Sequence, residues 1–319
     1  MKLGIDTPPA TTLHGGVLVD KPSGPTSHDI VGFIRRLLNT KRVGHTGTLD
    51  PLATGLLVLL VGHATRLSQF LVSDTKEYIA DIRLGVATPT YDAASLDEAR
   101  DARREVRVTP EQVRAVLAEF TGTFRQVPPS YSAKKVDGVR AYERARRDES
   151  VVLKPVEVTV HELERLESRA SHVAPDPTLL RLRIVCSSGF YVRSLAHDLG
   201  QALGCGAHLE ALRRTRVGRF RIDDAASLDV LERMGPEAVT RLVPMNDLLG
   251  HYPAIGLTAE GLPRAFNGNP LGPRHLTEVA GSSPTGSDAL LRVLTPDGEL
   301  LSVAERRPDG LLHPLLVLR

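Results

Sequence analysis

The order of apolar and polar positions divides the chain into short strands and a few amphipathic helices. Val17 to Asp20 is a brief apolar run that stops at the turn-rich Lys21-Pro22-Ser23-Gly24-Pro25. Thr26-Ser27-His28-Asp29 then opens a helix, with Ile30, Phe33, Ile34, Leu37 and Leu38 at helical spacing. Gly44 to Gly55 is a glycine-punctuated loop, and the continuous apolar run Leu56 to Val61 predicts a buried strand. Between Lys76 and Leu84 the residues alternate: Tyr78, Ala80, Ile82 and Leu84 on one face, Glu77, Asp81 and Arg83 on the other. Thr109-Pro110-Glu111-Gln112 is a helix start with a Thr cap, a Pro at the first position and a Gln closing a capping box. Val113, Val116, Leu117 and Phe120 form the apolar stripe of that helix, and Gly122 is expected to end it.

Val151 to Leu166 reads as a strand pair interrupted at Pro155. Leu180, Leu182 and Ile184 alternate with Arg181 and Arg183 as a half-buried strand. The tight Ser187-Ser188-Gly189 follows, then a helix through Leu195 and Leu199 to Gly204. Strands and helices mix without a regular strand–helix–strand rhythm, which favours an α+β protein over a doubly wound one. Beyond Gly250 short apolar runs at 290–293, 300–304 and 311–318 are separated by turns and predict a small β-rich module. Residues 1–14 read as a flexible tail, 15–247 as the main domain and 248–319 as the β-rich one. The low-complexity run 280–287 reads as a surface loop.

The bulk numbers exclude several classes. The 319 residues, 41% apolar and 24% charged, can bury a sizeable core. No apolar run is long enough to span a bilayer, and the N-terminus lacks the pattern of a secretion signal. Two cysteines, Cys186 and Cys205, make no disulfide framework and point to the cytoplasm. The net charge of +2 argues neither for nor against nucleic acid. Its distribution says more, because residues 181–221 hold eight arginines against two acids, the usual footprint of a phosphate-binding face. A solvated, internally paired face is the alternative.

The densest chemistry lies in Gly44-His45-Thr46-Gly47-Thr48-Leu49-Asp50-Pro51-Leu52-Ala53-Thr54-Gly55. Its glycines and proline build a loop that lets backbone approach a ligand, and it offers one carboxylate, one imidazole and three hydroxyls. It is not a phosphate loop, because no Gly-Lys-Ser/Thr follows. A turn or helix cap at Asp50 is the plain alternative, but an apolar strand follows at once and leaves no long helix to cap. His28, His45 and His63 are too widely spaced for a local metal pair, and no dinucleotide fingerprint or nucleophile elbow occurs. Neither metal nor cofactor is expected.

Taken in order, these segments resemble the bacterial TruB family of tRNA pseudouridine synthases. Gly16-Val17-Leu18-Val19-Asp20-Lys21-Pro22-Ser23-Gly24 is similar to the opening lysine-proline motif of that family, and residues 43–55 to its signature loop. Lys76-Glu77-Tyr78 with Arg83-Leu84-Gly85 resembles its tyrosine strand, followed by Thr88, Thr90 and Asp92. Gln126 to Pro129, Ser132 to Lys135 and Gly138 to Tyr142 resemble the next block. Ser188-Gly189-Phe190-Tyr191-Val192-Arg193-Ser194-Leu195 and Gly204 to Leu209 complete a series spanning about residues 15–247. Phe190 and Ser130-Tyr131 depart from the family pattern without touching a catalytic position. The C-terminal stretch is similar, more weakly, to a PUA-type RNA-binding domain.

The resemblance implies a mainly antiparallel central sheet with flanking helices and the conversion of uridine 55 in the T-loop of tRNA to pseudouridine. It implies Asp50 as the essential aspartate, Tyr78 as the tyrosine that stacks on the base and is implicated in proton removal from C5, and Arg193 as the aspartate's partner. It implies further that His45, Lys21, Tyr191, Pro22, Gly44, Thr46, Gly47 and Leu212 serve substrate binding. The T-arm and T-loop of tRNA are the implied partner, with no cofactor, no obligate protein partner and a monomeric state. Two alternatives share the scaffold: an RNA-guided pseudouridine synthase and a non-catalytic RNA-binding or RNA-folding protein. A generic hydrolase lacks a base or metal at any recognisable spacing.

Overall fold

The computed structural model describes residues 13–72, 75–102, 104–132, 134–136, 139–140, 144, 147, 153–166, 176–280, 282 and 290–318. Residues 1–12 of the expected tail, 151–152 of the expected strand pair and most of the 280–287 loop lie outside these, as do Ala133, Gly138, Ala141 and Tyr142 of the motif blocks.

Ten strands form one mixed sheet: β1 (Gly15–Lys21), β2 (Val43–His45), β3 (Thr54–Val61), β4 (Lys76–Leu84), β5 (Gly122–Gln126), β8 (Val156–Arg165), β9 (Leu179–Cys186), β10 (Ala207–Val217), β11 (Phe220–Arg221) and β12 (Ala226–Ser227). A separate two-stranded ribbon joins β6 (Lys135–Val136) to β7 (Val139–Arg140). The path across the large sheet is β12-β1-β3-β10-β4-β9-β8-β5, with β2 on β3 and β11 on β10. Only β1 with β12 and β3 with β10 run parallel; the rest is antiparallel.

The continuous apolar run in β3 has a direct cause. Leu57, Leu59 and Val61 enter one core, while Leu56, Val58 and Leu60 enter another on the opposite face. A strand covered on both sides has no reason to alternate. The first core is closed by α1 (Ser27–Leu37), α3 (Pro110–Glu119) and α4 (Val192–Ala202). Both expected helix starts are present, and each carries a capping box: the expected one of Thr109 with Gln112 at α3, and a second, of Thr26 with Asp29, at α1. The second core is closed by the segment from Gly62 through α2 (Ser68–Leu71) and by a second sheet.

That second sheet runs β14 (Leu276–Thr277), β13 (Ala254–Leu257), β15 (Leu290–Leu294), β16 (Leu300–Arg306), β17 (Leu312–Val317). Leu294, Leu300, Val303 and Leu316 pack with Leu56, Val58 and Leu60 of β3. Arg292 fastens the junction, donating to Asn246 Oδ1 at 2.7 Å and to the Tyr252 carbonyl at 2.8 Å.

Two sequence expectations change, and one strand is unforeseen. Within the described residues, Val151 to Leu166 yields one strand, β8, entered after Pro155, because the imide nitrogen has no N–H to give the ladder. Gly122 does not close α3; Phe120 is the cap, and Gly122, at φ +97°, opens β5. The longest strand of the sheet, β10, is not evident from the sequence. Register shifts between Leu209 and Ala211 and between Arg214 and Arg216 break its alternation and make it read as a basic block.

Candidate active site

The signature loop and the start of α4 meet over β4 and β10 around a cavity of about 350 Å³. Its wall includes Thr46, Gly47, Asp50, Tyr78, Tyr191, Arg193, Leu212 and Arg214. This volume falls at the small end of ligand pockets, which span roughly 300–1,000 Å³.

The loop that carries Asp50 is tied down from three sides. Ser27, at the start of α1, accepts from the Leu49 N–H at 2.8 Å and donates to the Leu49 carbonyl at 2.9 Å. Lys21, at the end of β1, donates to the Pro51 carbonyl at 3.3 Å and to the Ala53 carbonyl at 2.7 Å. Arg214, on β10, donates to the carbonyls of Gly47 at 3.1 Å, Thr48 at 3.4 Å and Leu56 at 2.7 Å. Charged donors on neutral carbonyls make strong hydrogen bonds, and the Lys21, Ser27 and Arg214 side chains that hold the loop are buried, so it has little freedom. Gly55 is required by this arrangement: a Cβ there would lie 2.3 Å from the Arg214 carbonyl oxygen, and the backbone sits at φ +99°.

Asp50 caps no helix. Arg193 Nε lies 2.9 Å from Asp50 Oδ2, and Arg193 Nη2 donates to Asp50 Oδ1 at 3.3 Å. This two-point contact fixes the plane of the carboxylate. The guanidinium is itself held by the carbonyls of Tyr131 at 2.9 Å and Thr90 at 3.2 Å, with Asp92 Oδ2 at 3.8 Å from Nε. The Asp50 side chain keeps 38% of its surface exposed, whereas that of Arg193 keeps 8%, so the carboxylate looks into the cavity and its partner is sunk behind it. Burial raises the Asp50 pKa above the ordinary carboxylate value; Arg193 pulls it back, Asp92 pushes it up, and Lys21 lowers it. Arg193 thus favours the charged form, but desolvation outweighs the guanidinium and leaves the carboxyl a weaker acid than a free aspartate.

Tyr78 is at once a core residue and a cavity wall. It is 7% exposed and packs in the first core, and burial raises its phenol above the ordinary value while Arg214 opposes the shift. Tyr191 stands just before α4, its backbone clamped by Gln126: the Tyr191 N–H donates to Gln126 Oε1 at 2.8 Å, and Gln126 Nε2 donates to the Tyr191 carbonyl at 3.0 Å. Tyr191, Leu212, Thr46 and Gly47 line the cavity. Lys21, Pro22, Gly44 and His45 do not. Lys21 is fully buried and also donates to the Pro22 carbonyl at 2.9 Å; burial pushes its pKa down to about 8. Gly44 and His45 belong to β2. Burial and the nearby Arg214 lower the His45 pKa, and its Nδ1 is enclosed without a hydrogen-bond partner.

Arg214 and Ser27 are the residues that sequence reasoning left out of the site. Arg214 was visible only as one of eight arginines, and that block is not a free basic face. Arg183 contacts Glu77, Glu162 and Glu164; Arg213 pairs with Asp20 at 2.8 Å; Arg181 lies 3.7 Å from Asp81; Arg219 donates to the Asp247 carbonyl. The phosphate-binding reading of the whole block is thereby corrected: the strands carry these arginines to different places, where most serve internal pairs.

Residues 35–192 match the TruB family pseudouridylate synthase N-terminal domain, and residues 193–249 match the tRNA pseudouridylate synthase B C-terminal domain. The chain is 42% identical over 310 residues to tRNA pseudouridine synthase B of Solibacter usitatus (strain Ellin6076), covering 96% of this chain and 100% of that protein. It is 44% identical over 306 residues to tRNA pseudouridine synthase B of Thermobifida fusca (strain YX), covering 95% and 98%. Among solved structures, the archaeal box H/ACA sRNP Nop10-Cbf5 complex aligns with a TM-score of 0.68 at 25% identity, covering 97% of this chain and 87% of that one. With near-full-length relatives above 40% identity and matches running without a break from residue 35 to 249, the chain belongs to the TruB family of pseudouridylate synthases.

Proposed function

We propose that this chain isomerises uridine 55 in the T-loop of tRNA to pseudouridine, with Asp50 as the catalytic carboxylate and no metal or cofactor. The observation that carries the reading is the two-point Arg193–Asp50 pair, which directs the carboxylate into a cavity shared with Tyr78. The reaction breaks the C1′–N1 bond, turns the uracil and joins C1′ to C5; C5 loses a proton and N1 gains one. Substrate and product are isomers, so no oxidant, reductant or co-reactant is consumed.

Asp50 acts in its ionised form, either by attack on C1′ or by removal of the 2′ proton to give a glycal-like intermediate. Arg193 sustains that ionised form and holds its orientation. Tyr78 is the platform for the flipped base. Flipping costs a few kcal/mol, and stacking on an aromatic ring returns about 1–3 kcal/mol per base. With its pKa raised, the phenol is neutral at pH 7 and fills the stacking role as it stands; removal of the C5 proton requires its phenolate or a water beside it.

Tyr191, Leu212, Thr46 and Gly47 contact the substrate in this reading. Lys21, Pro22, Gly44 and His45 serve it from behind, through the loop. Residues 15–247 are assigned to catalysis and 248–319 to a PUA-like RNA-binding role, in a monomer that needs no protein partner. No helix among the described residues is long and apolar enough to cross a membrane, and a cytoplasmic site of action is part of the proposal. The test is incubation with unmodified tRNA transcript, without metal or cofactor, and chemical mapping of pseudouridine. A single modified T-loop uridine supports the reading. No modification despite tight tRNA binding favours an RNA-folding or partner-dependent role.

A further inference from the structure

Behind the Asp50–Arg193 pair, the turn containing Thr90, Tyr91 and Asp92 meets α4 in two places, one helical turn apart. In the first, Thr90 and Asp92 hold the Arg193 guanidinium. In the second, the ring of Tyr91 stacks on His197, with centroids 3.9 Å apart and planes 17° from parallel. His197 follows Arg193 by four residues, so both side chains leave the same face of α4.

The backbone between these contacts is unusual. Tyr91 sits at φ +64°, and Asn39 is the only other non-glycine residue at positive φ among the described residues. A bulky side chain disfavours that region, so it persists only where the surroundings impose it. The Tyr91 N–H donates to the Thr88 carbonyl at 3.1 Å, and its carbonyl accepts from the Leu209 N–H of β10 at 2.9 Å. The left-handed turn lets Thr90 and Asp92 reach one guanidinium while the ring between them turns toward His197. His197 Nδ1 is buried without a hydrogen-bond partner, so that nitrogen does not orient the imidazole.

We propose that Tyr91 is a positioning residue for the isomerisation. Its ring, stacked on His197, locks the 90–92 turn onto α4 so that Thr90 and Asp92 keep Arg193 in register with Asp50. The inference rests on the reading of Asp50 and Arg193 as the catalytic pair. A stack that served folding alone would affect stability without moving the chemistry.

The test uses the full chain and tRNA transcript under single-turnover conditions, with rates normalised to folded protein by circular dichroism. Tyr91→Asn removes the ring while tolerating the left-handed backbone, and His197→Ala removes the other half of the stack. Each should slow the chemical step about two- to tenfold, the range an aromatic pair supports, with tRNA affinity unchanged. The double variant should be no slower than either single, and Tyr91→Phe and His197→Phe should restore the rate to within about twofold. The acid limb of the rate profile should also move to higher pH. Of the charged groups acting on Asp50, which are Arg193, Asp92 and Lys21, a displaced Arg193 would stabilise the anion less. Wild-type rates in Tyr91→Asn and His197→Ala, additive losses, or a change in affinity alone would overturn the proposal. Should Tyr91→Asn not fold, His197→Ala against His197→Phe decides it. Asp50→Asn is assayed beside them. Retained turnover there sinks the underlying reading, whereas its loss together with wild-type rates in the stacking variants sinks only the role of Tyr91.

Discussion

Arg214 stands directly opposite Tyr78 in the antiparallel pairing of β10 with β4, and its guanidinium holds three carbonyls of the polypeptide flanking Asp50. One buried side chain thus connects the strand that carries the Tyr78 ring to the loop that carries the Asp50 carboxylate. The relative placement of Asp50 and Tyr78 is a property of the sheet rather than of either side chain alone.

Replacing Arg214 by methionine should therefore destabilise the protein by about 2–3 kcal/mol, because the buried Leu56 carbonyl and the partly buried contacts to Gly47 and Thr48 lose a charged donor. Urea unfolding measures this directly. A change below about 0.5 kcal/mol, the range of ordinary surface substitutions, would mean that the carbonyls find other donors and that the loop does not depend on Arg214.

Two glycines of the signature loop should behave differently. Gly55→Ala places a Cβ 2.3 Å from the Arg214 carbonyl oxygen at a positive φ, so the β3–β10 pairing must shift. A loss of more than about 2 kcal/mol is expected. A Cβ on Gly44 meets nothing within 4 Å, and Gly44→Ala should fold with nearly wild-type stability. Equal stabilities of the two variants would contradict the packing described for this loop.

The pH dependence of catalysis should follow Asp50. In the proposed mechanism Asp50 acts as the anion, so activity should fall as the pH drops through a pKa that burial places above the usual 3.9 or so. Arg193 favours the anion, so Arg193→Gln should raise that pKa further and move the acid limb to higher pH, besides lowering the maximal rate. A single-turnover pH series on both proteins checks the direction; an unmoved limb would separate Arg193 from the titrating group.

Lys21 should leave a mark on stability instead. Its folded pKa of about 8 lies below the ordinary lysine value of 10.5, so in that interval the unfolded chain binds more protons than the folded one. Stability gains a Lys21 contribution as pH rises from about 8 to 10.5, whereas below 8 the fold bears the cost of a buried ammonium. Lys21→Met should flatten that rise relative to wild type in denaturant titrations at several pH values. Parallel curves would show that the buried amine titrates normally.

Much of this was legible from residue order. The helix starts at Thr26 and Thr109, the alternation of β4 and the unbroken run of β3 each report a local rule, and the ordered motifs led to Asp50, Tyr78 and Arg193. What was hidden depends on contacts distant in sequence. Lys21 looked like a turn lysine, and only the fold shows its ammonium enclosed by carbonyls near residue 51. Arg214 was one cation in a basic run until the bulged register of β10 turned it under the loop. Net charge along the chain could not distinguish Arg183, held among three glutamates, from an arginine free to meet phosphate.

The central claim is tested most directly by release of tritium from C5 of uridine-labelled tRNA transcript, in a single turnover, by wild type and by Asp50→Asn. Binding of the same transcript is measured in parallel. The account predicts stoichiometric release at one T-loop uridine by wild type. It predicts none by Asp50→Asn at an affinity within about tenfold of wild type, because binding is spread over many contacts. Release by the variant at a rate comparable to wild type would contradict the assignment of Asp50 as the catalytic carboxylate.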